Sequence, residues 1–412
     1  MVVCTTPEQW AYAVRFERVD TSAELSTAVL IRVSLRVRSG IVGVGCLDVG
    51  KTKFIDETLV GATPTATTAD VVVRHLRDAG PLVVRNASPS GGSEAELLEI
   101  ECFALDVQPE IARTPGLSEP RPCAHWSRYY GNNGHTIGEK LRVQSFNAGT
   151  EPQIIRWVDG LSLRVLPGDE LSRAVYTSGT YEPNTLTVLR RLLREGDTFI
   201  DVGANVGVIS LVASKWVAAT GRVYSFEPSL REYEKLLDNL ERNAAANVTP
   251  FRLAVTSTSG VANLRVAPPA HAGLNTLGTT FPYEGVDTYR LEPVETITLD
   301  EFVEDQRIAR AAVVKLDVEG AELAALQGAD KLLRDQRPVL ILEVFSRSLE
   351  ANGTNPDAVE RLLRDAKYRL YAIDDTTAML QPIEKLADVD EQNVVALPVE
   401  RVNAIVPHAP HP

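Results

Sequence analysis

The chain has 412 residues, which is longer than one typical domain and predicts two domains. Apolar residues make up 44% of it and charged residues 24%, as in an ordinary soluble globular protein. The net charge of −13 argues against a nucleic acid as the main partner, because binding to a phosphate backbone needs a basic face. No apolar run is long enough to span a membrane. The 4 cysteines are scattered and lack metal-binding spacing, which predicts reduced thiols in a cytoplasmic protein.

Residues 1–107 have the pattern of β structure. In Ile31–Arg38 apolar residues alternate strictly with polar ones, the period of a half-buried strand. Shorter apolar runs, separated by Gly, Pro, Ser and Thr, occur at 41–47, 71–73, 82–84 and 97–105. Short strands with regular turn signals and almost no helical periodicity predict an antiparallel β-sandwich.

The pattern changes after this region. Residues 108–150 are rich in Pro, Gly and Asn, which predicts a linker or irregular collar. From 151 to about 405, strands alternate with amphipathic helices, which predicts an α/β domain with a parallel sheet. Residues 406–412, with three prolines and two histidines, predict a frayed tail rather than a metal site.

A glycine turn follows the first strand of the predicted parallel sheet. The apolar strand Thr198–Val202 contains Asp201 near its end, and Gly203 and Gly207 permit a tight turn into a helix. Ligands of open parallel sheets bind outside the carboxyl ends of the strands. We therefore expect a cofactor at this turn, in contact with Asp201, Gly203, Ala204, Asn205 and Gly207.

Two cofactors compete for such a turn. A dinucleotide site needs a second glycine that lets the backbone approach a pyrophosphate, but Asn205 stands at that position. Asp201 would also repel phosphates. S-adenosylmethionine has no phosphate, and its sulfonium and amino groups are compatible with a nearby carboxylate. The sequence therefore favours S-adenosylmethionine over a nicotinamide dinucleotide.

The second strand ends in an acid. Glu227 and Pro228 follow Arg222–Phe226, and a carboxylate there can accept hydrogen bonds from both ribose hydroxyls of a cofactor. The following Ser229–Glu232 has the pattern of a helix capping box. A third strand, Pro250–Val255, is predicted to offer Ala254 and Val255 as an apolar wall for adenine.

Charged residues recur at the ends of later strands. Lys315, Asp317 and Glu319 alternate with apolar residues in Val313–Glu322, and burying three charges as ordinary core would be too unfavourable. This favours a functional role, with a structural ion-pair cluster as the alternative. The fifth strand, Val339–Val344, contains Glu343 near its end, and strands at 368–373 and 393–397 bring the total to seven. Residues 256–297, which include His271, predict a long loop that forms a lid or recognises the acceptor.

The segment from about 151 to 398 resembles the FkbM family of S-adenosylmethionine-dependent O-methyltransferases. The matching motifs are Gly179–Pro183, Asp201–Gly207, Phe226–Pro228, Thr298–Asp300 and Lys315–Glu322. The resemblance implies a seven-stranded Rossmann-like methyltransferase sheet with its last strand antiparallel. It also implies methylation of a hydroxyl on a sugar, glycolipid, polysaccharide or polyketide-type product. The N-terminal sandwich resembles the jelly-roll modules that accompany carbohydrate-active enzymes, and a carbohydrate-binding role is the expectation by analogy.

A neutral hydroxyl is a poor nucleophile, so a base is expected to assist methyl transfer. The predicted candidates for this role are Asp317, Glu319, Glu343 and His271. Alternatives remain open: Asp317 contacts the amino-acid part of the cofactor, Glu343 holds a neighbouring loop, or Asp317 and Glu343 bind a divalent metal that the spacing does not require. Tyr181 and Glu182 are predicted to close over the cofactor.

Two other functions compete with this one. One is a glycan-binding protein whose methyltransferase-like domain is inactive, which the intact Asp201–Gly207 and Glu227 disfavour. The other is a nicotinamide-dependent dehydrogenase, which Asp201 and Asn205 disfavour. The sequence therefore predicts a methyltransferase with a glycan or small-molecule acceptor.

Overall fold

The computed structural model describes residues 1–5, 12–16, 28–105, 136–281, 286, 288–375, 377–389 and 391–406. Within it the chain forms two compact units. The first contains the N-terminal strands, a helix that follows them and Arg173–Ser178, and the second contains Pro152–Ser172 and the chain from Gly179 onward.

Eight antiparallel strands build the first unit. They are β1 (Val2–Cys4), β2 (Tyr12–Phe16), β3 (Ala28–Ser39), β4 (Ile41–Asp48), β5 (Phe54–Gly61), β6 (Thr67–Val73), β7 (Ala79–Asn86) and β8 (Glu94–Leu105), with a single helical turn at Leu76–Asp78. They pair as two four-stranded sheets with the orders β1-β8-β3-β6 and β2-β7-β4-β5. This is the strand order of a jelly roll, so the predicted sandwich is confirmed.

The core of the jelly roll lies between its two sheets. Val33, Leu35 and Val37 of β3 are completely buried, as are Val42 and Val44 of β4, and all five belong to one hydrophobic cluster. Side chains of a strand alternate between its two faces, which is why the alternating sequence in β3 identified the buried face.

Helix α1 (Ile137–Ala148) follows the jelly roll. It begins with a capping box, in which the Thr136 hydroxyl accepts from the Glu139 N–H and the Glu139 carboxylate accepts from the Thr136 N–H. Leu141 on its buried face packs against Leu30 and Val72 of the sheet. The irregular linker predicted for 108–150 is therefore corrected to a packed helix over its last part, while 106–135 lie outside the described residues.

Helices and strands alternate in the second unit. Its strands are β9 (Gln153–Arg156), β10 (Ser162–Val165), β11 (Thr198–Val202), β12 (Arg222–Phe226), β13 (Val248–Phe251), β14 (Ala254–Val255), β15 (Gly260–Val266), β16 (Arg290–Ile297), β17 (Val313–Leu316), β18 (Val339–Val344), β19 (Tyr368–Ile373), β20 (Leu380–Pro382) and β21 (Gln392–Pro398). The α-helices after α1 are α2 (Glu170–Ser178), α3 (Pro183–Leu192), α4 (Val208–Val217), α5 (Leu230–Arg242), α6 (Leu299–Asp305), α7 (Glu322–Gln327), α8 (Ser346–Ala351), α9 (Pro356–Asp365) and α10 (Val402–Ile405). Shorter helical turns occur at Val158–Gly160, Pro269–Leu274, Leu332–Gln336, Leu386–Asp388 and Val399–Arg401.

The main sheet of this unit has the order β13-β12-β11-β17-β18-β21-β19-β20. Strands β13, β12, β11, β17 and β18 are parallel, and β21 lies antiparallel between β18 and β19. The predicted Rossmann-like methyltransferase fold is confirmed, with the short strand β20 as an additional edge strand. The carboxyl ends of β11, β12, β17 and β18 lie at the same end of the sheet, which is where ligands of such sheets bind.

Two sequence expectations differ from the structure. The predicted third strand, 250–255, divides into β13 in the main sheet and β14 in a separate three-stranded sheet of order β14-β16-β15. Ala254 and Val255 pair with the end of β16, so the chain leaves the main sheet after Phe251. The long loop predicted for 256–297 therefore contains two strands, β15 and β16, and the helical turn Pro269–Leu274.

Cys4, Cys46 and Cys102 are free thiols, while Cys123 and the predicted tail from 407 onward lie outside the described residues. Burial raises the pKa of the Cys46 thiol to about 12, so that thiol stays protonated at neutral pH. In the part of the chain that the structure describes, no helix has the length and apolar character needed to cross a bilayer.

A buried ion pair joins helix α1 to the jelly roll. The Lys140 Nζ lies 2.8 Å from the Asp56 Oδ2 and 2.7 Å from the Thr58 hydroxyl, and both charged side chains are almost completely buried. Lys140→Ala leaves the Asp56 carboxylate without its cation, so we expect the free energy of unfolding of this unit to fall by about 3 kcal/mol. Urea denaturation of the full chain measures it. The matched control is Lys331→Ala, which removes an exposed pair with Glu304 and should leave stability unchanged; equal stability of both variants would contradict the prediction.

Candidate active site

The glycine turn after β11 adopts a left-handed backbone at three positions. The φ angles are 86° at Gly203, 49° at Asn205 and 85° at Gly207. A Cβ atom on Gly203 would lie 1.7 Å from the Asp317 carbonyl oxygen, so only glycine fits there. The Gly203 and Ala204 N–H groups donate to the Phe226 carbonyl at 3.0 and 2.8 Å. The turn is therefore fixed against the ends of both neighbouring strands, β12 and β17.

Asp201 supports this turn from inside the protein. Its side chain is completely buried, and its Oδ2 accepts a hydrogen bond of 2.5 Å from the Ser210 hydroxyl of helix α4. Its Oδ1 has no hydrogen-bond partner among the described residues. Burial raises the pKa of Asp201, although Lys315 opposes the shift. A side chain without accessible surface does not reach a ligand, which argues against the predicted direct contact between Asp201 and a cofactor.

Glu227 lies beside the turn at the end of β12. Its Oε2 accepts from the Asn205 N–H at 3.0 Å and its Oε1 accepts from the Ser229 N–H at 2.9 Å. Burial, together with the nearby Glu232 carboxylate, raises the pKa of Glu227 to about 8. Each oxygen keeps a further lone pair, so the carboxylate can accept hydrogen bonds from two adjacent hydroxyl groups. The ribose of an adenosyl cofactor carries two adjacent hydroxyl groups of this kind.

The capping box predicted for Ser229 and Glu232 is wrong. The Ser229 hydroxyl makes no cap to the helix backbone and instead donates to the Glu232 Oε2 at 2.5 Å. The buried Glu232 carboxylate also accepts from the Arg231 Nε at 2.5 Å and from the Asn275 Nδ2 at 2.9 Å. With these partners Glu232 joins helix α5 to the segment between β15 and β16, instead of closing the helix end.

Three carboxylates gather at the ends of β17 and β18. Oxygen atoms of Asp317, Glu319 and Glu343 lie within 4.8 Å of one another, which is also a spacing that could hold a metal ion. Glu319 is buried and has a left-handed backbone with φ of 50°. Burial raises the pKa of Glu343 well above its usual value, and the Asp317 and Glu319 carboxylates raise it further. The structure thus brings together three of the four predicted base candidates.

Lys315 lies directly beneath this cluster. Its Nζ is 2.6 Å from the Asp317 Oδ2 and 3.8 Å from the Glu182 Oε1. Burial alone would lower the pKa of Lys315, but the Asp317 and Glu182 carboxylates outweigh it and raise the pKa. Lys315 therefore remains a cation that partly compensates the acids, and it is not available as a base.

Glu182 belongs to the same buried network. Its Oε2 accepts a hydrogen bond of 2.7 Å from the Asn393 Nδ2, and its backbone is left-handed with φ of 43° at the start of helix α3. The side chain is engaged with Lys315 and Asn393, which argues against the prediction that it closes over a cofactor. Its neighbour Tyr181 is half-buried. Asn393 was not predicted as part of this network, and its only signal in the sequence is that it is a polar residue within the mainly apolar strand β21.

The remaining predicted residues divide into core and loop. Ala254 and Val255 are buried in hydrophobic clusters and offer little surface to adenine, whereas Pro228 is half-buried beside Glu227. His271 is partly exposed in the turn Pro269–Leu274, and no hydrogen bond or ion pair to its ring is found among the described residues. A Cβ on Gly273 would lie 3.8 Å from the Asn205 Nδ2, so this segment approaches the glycine turn.

Comparison with known proteins assigns the domain that carries this site. Residues 201–370 match the family model of the methyltransferase FkbM domain, a span that includes the glycine turn, Glu227 and the three carboxylates. The chain is 31% identical over 186 residues to the hexuronic acid methyltransferase AglP of Haloferax volcanii, covering 45% of this chain and 69% of that protein. It is 29% identical over 161 residues to the 31-O-demethyl-FK506 methyltransferase FkbM of Streptomyces tacrolimicus, covering 34% of this chain and 61% of that protein.

Among solved structures, the methyltransferase FkbM of Methylobacillus flagellatus KT aligns with a TM-score of 0.31 and 14% identity, over 55% of this chain and 53% of that one. The class of protein is a methyltransferase that takes its methyl group from S-adenosylmethionine. This chain belongs to the FkbM methyltransferase family. The matched residues lie in the second unit, so the jelly roll is additional to the family's domain.

The raised pKa of Glu227 predicts that cofactor binding depends on pH. Below about pH 8 the free carboxyl group is mainly protonated, whereas ribose hydroxyls donate to its anion. We therefore expect S-adenosylhomocysteine to bind about tenfold more tightly at pH 8.5 than at pH 6.5, with release of a proton. Calorimetric titration in buffers of different ionisation enthalpy measures both quantities. Glu227→Gln should bind weakly at both pH values, and the exposed Glu241→Gln should behave as wild type; a wild-type affinity that does not change with pH would disprove the role of Glu227.

Proposed function

We propose that this protein transfers the methyl group of S-adenosylmethionine to a neutral hydroxyl group of a sugar or polyketide-type acceptor. The observation that carries the proposal is the position of the three carboxylates, Asp317, Glu319 and Glu343, at the strand ends next to the glycine turn. Methyl transfer requires the donor and the acceptor to lie next to each other. A donor bound at the glycine turn and an acceptor bound at the carboxylates would be neighbours.

Bound S-adenosylmethionine supplies a methyl group already activated by its positively charged sulfur. The chain's own residues bind and orient it. The Glu227 carboxylate binds the ribose. The hydrogen bond that the Asn205 N–H donates to this carboxylate keeps it in place. The left-handed residues Gly203, Asn205 and Gly207 make the backbone turn sharply, which leaves room for the cofactor above the turn.

The Glu343 carboxylate is the proposed base. Bound S-adenosylmethionine would supply the methyl group to the acceptor oxygen and leave as S-adenosylhomocysteine, and Glu343 would take up the proton that the acceptor hydroxyl loses. Asp317 is already paired with Lys315 at 2.6 Å, whereas no hydrogen bond to the Glu343 side chain is found among the described residues. A carboxylate with a raised pKa is also a better match for a weakly acidic hydroxyl.

The charge of the site supports a neutral acceptor. Three carboxylates lie together, and the Lys315 cation beneath them is engaged by Asp317 and Glu182. A further carboxylate brought into this partly buried cluster would be repelled. The relative AglP is named for a hexuronic acid and FkbM for a hydroxyl of FK506, and the charge of this site is better suited to the second kind of acceptor.

We propose a cytoplasmic enzyme without a nucleic-acid partner, in line with the free thiols at Cys4, Cys46 and Cys102 and the net charge of −13. We also propose that the jelly roll contributes to acceptor choice rather than to cofactor binding, because the family match lies outside it. We also propose that catalysis does not require a metal ion.

Glu343→Gln keeps the size of the side chain and removes its ability to accept a proton. We expect kcat to fall by about 10² to 10³ while the affinity for S-adenosylhomocysteine stays unchanged, because the base acts only in the chemical step. Steady-state kinetics and calorimetry measure the two effects. The matched control is Glu350→Gln, an exposed acid in helix α8. A Glu343→Gln enzyme with wild-type kcat would refute the base, and activity lost in EDTA and restored by Mg²⁺ would establish a metal site instead.

An acceptor screen tests the substrate class. Radiolabelled methyl transfer would be compared between neutral alkyl glucosides or macrolide alcohols and the matching alkyl glucuronides. We expect the neutral acceptors to react at least about tenfold faster, because the glucuronide carboxylate meets the acidic cluster. Faster reaction of the glucuronides would reverse the assignment of acceptor charge.

A further inference from the structure

Two adjacent residues connect the cofactor side of the site to its carboxylate cluster. Asn275 and Thr276 lie in the segment between β15 and β16, which was predicted to be a loop. Thr276 is 1% exposed, and its backbone pairs with Arg265 in both directions, so the dipeptide has a fixed place in the fold. The two side chains extend to different partners.

The Asn275 side chain contacts the cofactor side. Its Nδ2 donates to the Glu232 Oε2 at 2.9 Å, and its Oδ1 accepts from the Ala267 N–H at 3.0 Å. The same Glu232 oxygen accepts from the Ser229 hydroxyl, and the Ser229 N–H donates to Glu227. A continuous set of hydrogen bonds therefore runs from Asn275 to the carboxylate that receives the ribose.

The Thr276 side chain contacts the carboxylate cluster. Its hydroxyl donates to the Glu319 carbonyl oxygen at 2.8 Å, and the Asn352 Nδ2 donates to the same oxygen at 3.1 Å. Glu319 needs such support because its backbone is left-handed with φ of 50°, which is unfavourable for a residue with a side chain. The next residue, Gly320, is pressed so closely against helix α8 that a Cβ would lie 2.0 Å from the Ser348 carbonyl oxygen.

We propose that Asn275 and Thr276 form a strut that fixes the separation between the methyl donor at Glu227 and the acceptor at Glu319, with Thr276 as the residue that positions Glu319. The inference rests on the proposed function, because it assigns the acceptor to the cluster. Methyl transfer needs the acceptor oxygen, methyl carbon and sulfur in line, and a misplacement of about 1 Å is enough to slow such a reaction by about 10². Thr276 acts through Glu319 and does not touch the reacting atoms.

Four variants of the full chain separate this role from a general effect on stability. Thr276→Val keeps the shape but removes the hydroxyl donor, and Thr276→Ser restores the donor. Thr279→Val is the matched control, because Thr279 lies only three residues after Thr276. Its hydroxyl donates to the Ala351 carbonyl oxygen and not to Glu319. Asn352→Asp replaces the second donor to the Glu319 carbonyl and serves if Thr276→Val does not fold.

Kinetics with the best acceptor of the screen above give the first measurement. We expect kcat of Thr276→Val to fall by about 10- to 100-fold, with the KM for the acceptor and the affinity for S-adenosylhomocysteine nearly unchanged. Thr276→Ser should recover most of kcat, and Thr279→Val should match wild type. A wild-type kcat in Thr276→Val, or an equal loss in Thr279→Val, would overturn the strut.

Hydrogen exchange of the complexes with S-adenosylhomocysteine gives a second measurement that needs no acceptor. We expect the segment 317–322 to exchange at least about tenfold faster in Thr276→Val than in wild type, Thr276→Ser or Thr279→Val. Unchanged exchange in Thr276→Val would overturn the inference. If wild type methylates no acceptor in the screen, the proposed function fails while the exchange measurement still decides the strut.

Discussion

The close contact between Gly203 and the Asp317 carbonyl oxygen is the constraint on which this site depends. The turn after β11 and the end of β17 occupy the same small volume, and a side chain at position 203 would exclude the other strand end. Because these backbones touch, the residues that follow each strand are neighbours. Glu227, which follows the next strand β12, and the cluster of three acids at the ends of β17 and β18 are therefore held close to the same glycine turn.

Concentrated negative charge is the second property of the site, and the fold manages it with buried partners. Lys315 lies beneath the acids, Asn393 donates to both Glu182 and Thr185, and Ser210 donates to Asp201. These side chains come from a strand, the last strand of the sheet and two helices. The acids still keep raised pKa values, at Glu227, Glu322 and Glu343 among others, so the compensation is incomplete. An incompletely compensated acidic site is suited to binding a cationic cofactor and to accepting a proton.

Features that follow from local sequence patterns were predicted correctly, whereas features that depend on contacts between distant parts of the chain were not. The alternation in Ile31–Arg38 identified a strand with one buried face, and the predicted strand ends correctly indicated that the Gly203–Gly207 turn and Glu227 are neighbours. The jelly-roll strand order could not be read from the same pattern, because it depends on which strands pair. The complete burial of Asp201, and its hydrogen bond with the Ser210 hydroxyl of helix α4, could not be predicted from the strand pattern. Asn393 and Thr276 were missed because their partners lie far away in the chain.

A proline, Pro250, interrupts the edge strand β13 of the main sheet. The Phe251 carbonyl of strand β13 accepts from the Glu227 N–H of the neighbouring strand, so Pro250, one position earlier, directs its backbone towards the open side. Proline has no N–H to donate, and the outer row of hydrogen-bonding groups on β13 is interrupted there. Such an interruption limits the addition of a strand from another molecule. Pro250 in β13 therefore opposes edge-to-edge pairing of the main sheet with another molecule at this position.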